Sequence, residues 1–425
     1  MAIRSTHSVR NRILAPLALR DFRLLWVALT ISLLGDGLYF VALPWQVYEL
    51  RNTPSALSMV GLAWTVPLVL FLLFGGVLSD RFDRRRIMIA ADVLRAAAIG
   101  ALGVLSVAGE LRLWHVLVLV AFYGAGEALF MPAFSAIVPE LVADDLLVEA
   151  NSLQRVMTPL SLRFVGPALG GIVVATLGPG QAFLVDAASF VLSAVVVSRL
   201  EPRPRQRSSR SVAAVFADIG EGLTYVRRRP WLWATMIAGG LAMFVFWGPY
   251  EVLVPYLVRN QYGGSPGDYG VILAAGGVGS IAASLFMARR GLPRRHITFM
   301  YVAWALSFAA VGVYGVASDV RVAVLASFAV GFLVAAGMIV WSTLQQRLVP
   351  TALLGRVSSL DWFTVSAPVP LSFAVTAPAA AHFGAGPTLV VAGLVGCAIH
   401  LAFLAVPGLL AIEQREPEVA EAVMA

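Results

Sequence analysis

The sequence contains no lysine, one cysteine and few charged residues of any kind. Charged residues are 13% of the 425 residues, where about 25% is usual in globular proteins. The single Cys397 excludes a disulfide within the chain. The five histidines lie too far apart for metal-ligand spacing, and no phosphate loop, catalytic triad or pair of catalytic carboxylates occurs. We therefore expect that the protein is not an enzyme and that it holds neither a metal ion nor a cofactor.

Long hydrophobic runs are the main feature of what is present. The chain is 59% hydrophobic and its mean hydropathy is +0.83. A membrane-crossing helix needs about 20 mainly apolar residues. Twelve runs qualify: 22–49, 55–79, 87–108, 113–137, 151–177, 180–199, 231–258, 268–288, 296–317, 322–346, 357–383 and 386–410. Backbone polar groups in lipid must be satisfied within the segment, so the runs predict an all-α protein with twelve transmembrane helices.

The arginines are distributed unevenly between the two ends of these runs. Twenty-four lie in segments on the side of the N-terminus and four in segments on the other side. The positive-inside rule therefore places both termini in the cytoplasm, in a multi-pass protein of a plasma membrane. The net charge is +7, but the arginines flank the runs, where they contact anionic lipid headgroups. We expect membrane lipids as partners and no nucleic acid.

A hydrophilic stretch near the middle divides the runs six and six. It predicts a cytoplasmic segment (1–21), a six-helix bundle (22–199), a linker (200–230), a second six-helix bundle (231–410) and a cytoplasmic tail (411–425). The linker has apolar residues at helical spacing between Val212 and Arg229, which predicts an amphipathic helix on the membrane surface. Transporters with such repeats bind their substrate between them, near the bilayer midplane.

The short connection after the second run carries a charged motif, Gly76-Val-Leu-Ser-Asp80-Arg81-Phe-Asp83-Arg84-Arg85. With its flanking spans, it resembles the loop 2–3 motif of the major facilitator superfamily, in the branch of macrolide efflux pumps and the enterobactin exporter. The resemblance implies two pseudo-symmetric six-helix bundles and a bacterial inner-membrane transporter, a monomer. It also implies that Asp80 accepts hydrogen bonds from the start of span 11, while Arg84 pairs with a cytoplasmic carboxylate. Asp92 and Arg95 neutralise each other or join this gating motif, Gly76, Asp80, Arg81, Arg84 and Arg85.

A second segment resembles the antiporter signature of the same superfamily. Its core is present as Gly166, Pro167, Gly170 and Gly171 in span 5. The glycines expected upstream are replaced by Leu153 and Leu162. The arginine that drug exporters carry in span 4 is replaced by Val120. Proton coupling through that arginine is therefore not available to this chain.

Three ionisable residues lie midway along predicted spans: Asp36, Glu127 and Arg163. A charge at the bilayer centre costs about 2.5–3.5 kcal/mol, so such residues are functional candidates. We hypothesise that Asp36 or Glu127 exchanges a proton and that Arg163 pairs with it in one state. The alternative is a static buried ion pair that fixes helix packing.

Further candidates follow from the resemblance, which makes spans 1, 4, 7 and 10 the lining of a central cavity. Tyr39, Tyr123, Trp247 and Glu251 would line it. Asp186 and Glu251 are expected nearer the outer surface, and Asp361 in the first turn of span 11, where a carboxylate stabilises a helix N-terminus.

These features predict a secondary active transporter that exports amphipathic small molecules, drugs or siderophore-like compounds, by alternating access and proton antiport. Its partners are then a small-molecule substrate and protons. Two alternatives stay open: a proton-coupled importer of a small metabolite, and a membrane sensor or scaffold that transports nothing.

Overall fold

The computed structural model describes residues 14–143, 146–201 and 212–413, without the side chains of 72–81, 148, 155, 212–219 and 351–352. Within these ranges the regular structure is helical, and twelve helices are long and apolar enough to cross a membrane. The prediction of an all-α protein with twelve transmembrane helices is confirmed.

The chain folds into two compact units. The first is Met1–Ser208 with Ser265–Ala274, and the second is Ser209–Gly264 with Ala275–Ala425. The ten residues from Ser265 to Ala274 therefore group with the first unit, although they follow the linker in sequence. We call α1–α6 below the first bundle and α8–α14 the second bundle.

The first bundle contains six spans. They are α1 (Arg20–Leu50), α2 (Pro54–Arg81), α3 (Arg84–Val107), α4 (Leu113–Leu141), α5 (Leu147–Leu177) and α6 (Pro179–Val197). Helix α1 packs against α5 and α6, helix α3 against α4 and α6, and helix α2 against α4. Polar residues on α1, α3, α4 and α6 are therefore brought to a shared interior.

Helix α5 is not a regular α-helix throughout. It consists of Leu147–Thr158, a π-helical segment Pro159–Val165, and Gly166–Leu177. Pro159 and Pro167 bracket the irregular segment, and neither has an N–H to donate within the helix. The N–H of Gly166 instead reaches the carbonyl of Ser161, five residues back. A π-segment changes the direction in which the following side chains point.

The second bundle follows a helix in the linker, α7 (Val212–Arg227). Its helices are α8 (Pro230–Asn260), α9 (Pro266–Arg290), α10 (His296–Val316), α11 (Val320–Leu348), α12 (Thr351–Ser366), α13 (Val369–Phe383) and α14 (Ala385–Phe403). Helix α8 packs against α12, α13 and α14, and helix α10 packs against α11 and α14. These neighbours correspond to those of α1 and α3 in the first bundle, as expected for a repeated six-helix unit.

The predicted span 357–383 is two helices, α12 and α13, and α12 begins earlier than expected. The break lies at Ala367 and Pro368, because Pro368 and Pro370 each lack a backbone donor. Since α12 begins at Thr351, Asp361 lies about three turns inside the helix. Its expected place in the first turn is wrong.

Candidate functional site

Asp36 lies in the interior of the first bundle, near the middle of α1. Its side chain is 8% exposed, and its Oδ1 accepts a hydrogen bond of 2.7 Å from the hydroxyl of Tyr123 on α4. The partner is a neutral group that stays bonded whether the second carboxyl oxygen is protonated or not. Asp36 can therefore gain or lose a proton without losing this contact.

Glu127 has a comparable partner on a different helix. The indole N–H of Trp64 on α2 donates a hydrogen bond of 2.9 Å to its Oε2. An indole N–H is a donor in every state, so this bond also tolerates both protonation states. Gly124 allows the approach, since a Cβ there would overlap the carbonyl oxygen of Trp64. Sequence reasoning did not identify Trp64, because nothing local marks it.

Arg95 of α3 is the buried arginine among the described residues of the first bundle, at 3% exposure. Its guanidinium pairs with Asp92, whose Oδ2 accepts a hydrogen bond of 2.7 Å from Ser193. The guanidinium lies between two rings, 4.5 Å from the centroid of Phe130 and 4.3 Å from that of Phe190. The Asp92–Arg95 pair is thus a buried ion pair with fixed charge, held by contacts on both sides.

Arg95 also explains a glycine of α4. A Cβ at Gly126 would lie 2.8 Å from the Cγ of Arg95, so a larger residue there would displace the arginine side chain. The charge of Arg95 acts on Asp36 and Glu127 as well as on Asp92. Asp92 and Arg95 were expected to neutralise each other or to join the gating motif; the structure pairs them with each other, among the central carboxylates.

A fourth carboxylate joins them. Asp186 of α6 is fully buried, and the charges of Asp36 and Arg95 act on it. Its burial follows from the packing of α6 against α1 and α3, and its expected place nearer the outer surface stays a prediction. We call Asp36, Asp92, Arg95, Glu127 and Asp186 the charge cluster. It contains four carboxylates and one guanidinium, so full ionisation would leave three uncompensated negative charges in an apolar interior.

Arg163 does not belong to the charge cluster. It lies in the π-helical segment of α5, and its side chain is exposed. The hypothesis that Arg163 pairs with Asp36 or Glu127 is therefore not met in this structure, where those carboxylates are bonded by Tyr123 and Trp64. The π-helical segment Pro159–Val165 changes the directions in which its side chains point, compared with a regular α-helix.

Two of the expected cavity residues are instead buried. Tyr39 and Tyr123 are 1% and 3% exposed, and their ring centroids lie 4.8 Å apart. They pack inside the first bundle beside the charge cluster and do not present their rings to a cargo. Trp247 and Glu251 of α8 are half-buried, and the neighbouring rings of Phe246 and Tyr250 are stacked at 4.9 Å.

The antiporter-like residues bring backbones into direct contact. A Cβ at Gly37 of α1 would lie 2.6 Å from the Cα of Gly166 and 3.0 Å from Pro167. A Cβ at Gly170 would lie 2.9 Å from the Cα of Leu38. Gly171 lies against Gly270, which belongs to the same compact unit. The motif therefore sets how closely α5 approaches α1, next to Asp36.

The gating motif is described only from Phe82 onward. The side chains of Gly76, Asp80 and Arg81 lie outside the described residues. Arg84 pairs with Glu140 at the end of α4 and donates a hydrogen bond of 2.7 Å to the carbonyl of Ala136. Arg85 donates to the carbonyl of Ser198 after α6. These contacts tie the start of α3 to the ends of α4 and α6.

Asp83, which replaces a glycine of the superfamily motif, caps helix α3. Its Oδ1 accepts a hydrogen bond of 3.0 Å from the backbone N–H of Arg85. An N-cap carboxylate satisfies an otherwise unpaired donor and stabilises the helix by about 1 kcal/mol. The departure from the motif therefore has a local structural role.

The second bundle contains a buried histidine that lies among aromatic rings. His400 of α14 has the rings of Tyr301, Trp304 and Phe308 at centroid distances of 6.0, 5.7 and 5.2 Å, and its Nδ1 lies 2.9 Å from the carbonyl oxygen of Gly396. Asp361 accepts hydrogen bonds from Trp341 at 2.9 Å and from Gln345 at 3.1 Å. In the part of the chain that the structure describes, no three His, Cys, Asp or Glu side chains are grouped as a metal site.

The chain matches a family model described as a transmembrane secretion effector, over residues 11–416. It is 30% identical over 376 residues to the multidrug efflux pump Tap of Mycolicibacterium fortuitum, which covers 84% of this chain and 88% of that one. It is 24% identical over 366 residues to macrolide efflux protein A of Streptococcus pyogenes, covering 85% and 90%. The enterobactin exporter EntS of Citrobacter koseri is 27% identical over 349 residues, covering 80% of each chain.

Among solved structures, the chain resembles a bacterial homologue of the iron transporter ferroportin in an inward-facing state. The TM-score is 0.70 at 15% identity, and the match covers 91% of this chain and 99% of that one. At this identity the likeness concerns the fold alone.

Proposed function

We propose that this chain, which belongs to the transmembrane secretion effector family of major facilitator transporters, exchanges protons for its cargo. It is a multi-pass inner-membrane efflux transporter and not an enzyme. The cargo is an amphipathic small molecule of the drug or siderophore type, carried by alternating access.

The charge cluster of the first bundle is the observation that carries the proposal. Asp92 is paired with Arg95 and accepts a hydrogen bond from Ser193, and both contacts stabilise its ionised form. Asp36 and Glu127 are bonded by the neutral donors Tyr123 and Trp64, which accept either protonation state. Asp36 and Glu127 are therefore the groups that take up and release protons. Asp92 and Arg95 supply the fixed charges against which they titrate.

Proton exchange changes the charge of this interior. With Asp36 and Glu127 protonated, these two carboxyl groups are neutral. The opposite charges of Asp92 and Arg95 balance each other. When both lose their protons, two negative charges appear in a medium of low effective dielectric, where each interaction is worth several times its value in water. Such a change favours a different helix arrangement in each state, which is what coupling to alternating access requires.

The cargo class is supported by three relatives and by the residues of α8. The relatives carry the names of a multidrug pump, a macrolide exporter and an enterobactin exporter. The half-buried rings of Phe246, Trp247 and Tyr250 on α8 suit the apolar face of a bulky, partly aromatic molecule.

The test is transport by the purified protein in proteoliposomes. A macrolide, a cationic dye and a catecholate siderophore are offered under an imposed proton gradient. Antiport predicts that one or more of them moves against the direction of proton flow and that a protonophore abolishes the movement. Movement in the direction of proton flow would instead indicate a symporter, and cargo flux that ignores the proton gradient would contradict the proposal.

A matched pair of variants tests the site. Glu127 and Asp361 are each a carboxylate bonded by an indole N–H at 2.9 Å, one in each bundle. Glu127→Gln keeps the acceptor for Trp64 and removes the titrating group, so we expect proton-driven transport to be lost. Asp361→Asn makes the same change in the second bundle, and we expect transport to persist. Equal transport by both variants would remove Glu127 from the coupling mechanism.

A further inference from the structure

Helix α7, in the linker between the bundles, packs on the second bundle with one face. Gly222 and Val226 lie four residues apart and are both buried, and Val226 belongs to the hydrophobic core of that bundle. A Cβ at Gly222 would lie 3.2 Å from the Cβ of Arg356 and 3.3 Å from the Cδ1 of Leu360, both on α12. Residues four apart are neighbours on a helix surface, so the bundle covers this face of α7.

Two polar contacts attach the same helix to the ends of two spans. The hydroxyl of Tyr225 donates a hydrogen bond of 3.1 Å to the carbonyl of Leu348, the last residue of α11. Glu221 pairs at 2.5 Å with Arg356, in the second turn of α12. A displacement of α7 therefore also displaces the end of α11 and the beginning of α12.

The opposite face of α7 is exposed, and it combines an apolar residue with two cations. Leu223 is 46% exposed, and the exposed Arg227 lies four residues later on the same face. Arg228 follows and is also exposed. Arg229 instead contacts Tyr225, with its Cζ 3.5 Å from the ring centroid and a hydrogen bond of 3.3 Å to the backbone carbonyl. We call Leu223, Arg227 and Arg228 the outer face of α7.

The chain itself places the outer face at a membrane surface. The transmembrane helix α8 begins at Pro230, two residues after Arg228. Helix α8 has 31 residues, which gives a length of about 46 Å, and the hydrocarbon core of a bilayer is about 30 Å thick. The first turn of α8 therefore fits in the headgroup layer, and Arg227 and Arg228 lie within reach of lipid headgroups.

Anionic phospholipids match the chemistry of the outer face. A guanidinium binds a phosphate through two parallel N–H···O bonds, and each arginine near an anionic surface strengthens binding about fivefold. Leu223 suits the boundary between headgroups and acyl chains, where a surface helix buries its apolar side chains. A zwitterionic bilayer has no net surface charge, so it attracts the two arginines less.

We propose that the outer face of α7 binds anionic phospholipid headgroups, and that this contact holds α11 and α12 in the arrangement that transports. Without anionic lipid, α7 leaves the surface in part of the molecules, and the transport rate falls with the fraction that stays competent. The link to transport rests on the proposed function, whereas lipid binding by α7 does not.

The first readout is independent of transport. A polarity-sensitive fluorophore is attached at the exposed residue 224 in a Thr224→Cys, Cys397→Ser protein, which is reconstituted in phosphatidylcholine vesicles with or without phosphatidylglycerol. We expect its emission to shift to the blue when phosphatidylglycerol is present. Inorganic phosphate added to phosphatidylcholine vesicles should give no shift. A shift with phosphate alone would overturn the assignment to a lipid.

Charge variants test which residues cause the shift. Arg227→Gln with Arg228→Gln weakens the attraction about 25-fold, so the shift should be lost, whereas Arg227→Lys with Arg228→Lys should keep it. The matched control is Arg294→Gln with Arg295→Gln. These two arginines are also exposed and directly precede a span, α10, on the same side of the membrane because two spans lie between. We expect the control to shift as the wild-type protein does.

The second readout is proton-driven transport of a cargo that the wild-type protein carries. We expect wild-type transport to be at least about fivefold faster with phosphatidylglycerol. The Arg227→Gln, Arg228→Gln protein should keep the slower rate in both lipids, and the Arg294→Gln, Arg295→Gln protein should respond as the wild type does.

Four results decide the inference. An emission that is the same in both lipids would overturn lipid binding by α7. An equal loss of response in both arginine pairs would also overturn it, since surface charge in general would then be the cause. An emission shift without any change in the transport rate would overturn the link to α11 and α12. A wild-type protein that transports no cargo would contradict the proposed function, and the emission would still decide whether α7 binds anionic lipid.

Discussion

The two bundles contain the same number of spans and similar helix contacts, but their interiors differ in kind. The first buries the charge cluster, in which the carboxylates of Asp36 and Glu127 have neutral partners. The second buries His400 among three aromatic rings, and its half-buried Asp361 is bonded by Trp341 and Gln345. The difference indicates that a repeated helical unit can keep its packing while proton chemistry is assigned to one copy and apolar packing to the other.

The largest expected effect on stability comes from the buried ion pair of the first bundle. Arg95→Met leaves the carboxylate of Asp92 buried without its cation, and we expect a loss of about 3–5 kcal/mol in the free energy of unfolding. Unfolding of the purified protein in detergent, followed by circular dichroism, measures it. The double variant Arg95→Met with Asp92→Asn recovers part of the loss, because no unpaired charge remains.

The matched control lies in the second bundle's unit, where Arg356 pairs with Glu221 at 2.5 Å and the side chains are 30% and 60% exposed. Solvent screens this pair, so Arg356→Met costs about 0–1 kcal/mol. If the two substitutions cost the same, the contrast between the buried Asp92–Arg95 pair and the solvent-exposed Arg356–Glu221 pair is wrong.

A smaller effect on stability is expected where the backbone of α1 contacts α6. Gly35→Ala places a methyl group onto Asp186 and Ser189, and we expect a loss of about 1–3 kcal/mol in stability from overpacking. A Cβ at Gly312 of α10 would have its nearest neighbour, Val390, at 3.8 Å. Gly312→Ala therefore gains about 0.5–1 kcal/mol from helix propensity. Thermal unfolding of both variants measures the two changes in stability. A loss of stability in Gly312→Ala as large as that in Gly35→Ala would contradict this account.

The smallest effect is expected at His400. His400→Phe keeps an aromatic ring among Tyr301, Trp304 and Phe308 and removes one hydrogen bond to the carbonyl of Gly396, which costs about 1 kcal/mol. Proton-driven transport should remain at the wild-type level, since no proton step is assigned to the second bundle. Loss of coupling in a folded His400→Phe protein would show that both bundles carry protons.

The sequence predicted the fold well and the site in part. Length and hydropathy identify spans because lipid leaves the backbone no partner outside its own helix, and a charge in such a span is conspicuous. Asp36 and Glu127 were found in this way. Asp186 and Arg95 carry the same signal, but their place beside Asp36 was not predicted, because the position of a residue along its helix says little about the neighbours that packing supplies.

Other features had no sequence signal that could be used. Trp64 lies 63 residues from Glu127, and its indole becomes a donor only when α2 packs against α4. The direction in which the Arg163 side chain points depends on the π-segment between Pro159 and Val165. The extra residue in a π-turn rotates the side chains that follow it about the helix axis. The break between α12 and α13 could have been expected from Pro368 and Pro370.

The sequence by itself thus determined the membrane setting, the twelve spans, the division into two six-helix repeats and the resemblance to an exporter family. The reason is that each depends on the chemistry of contiguous residues against lipid and water. Only the tertiary structure decided that Arg95 rather than Arg163 is the buried cation, that Tyr39 and Tyr123 are interior, and that Asp186 rests against Gly35. These facts depend on contacts between helices distant in the chain, and a carboxyl group takes its function from what lies around it.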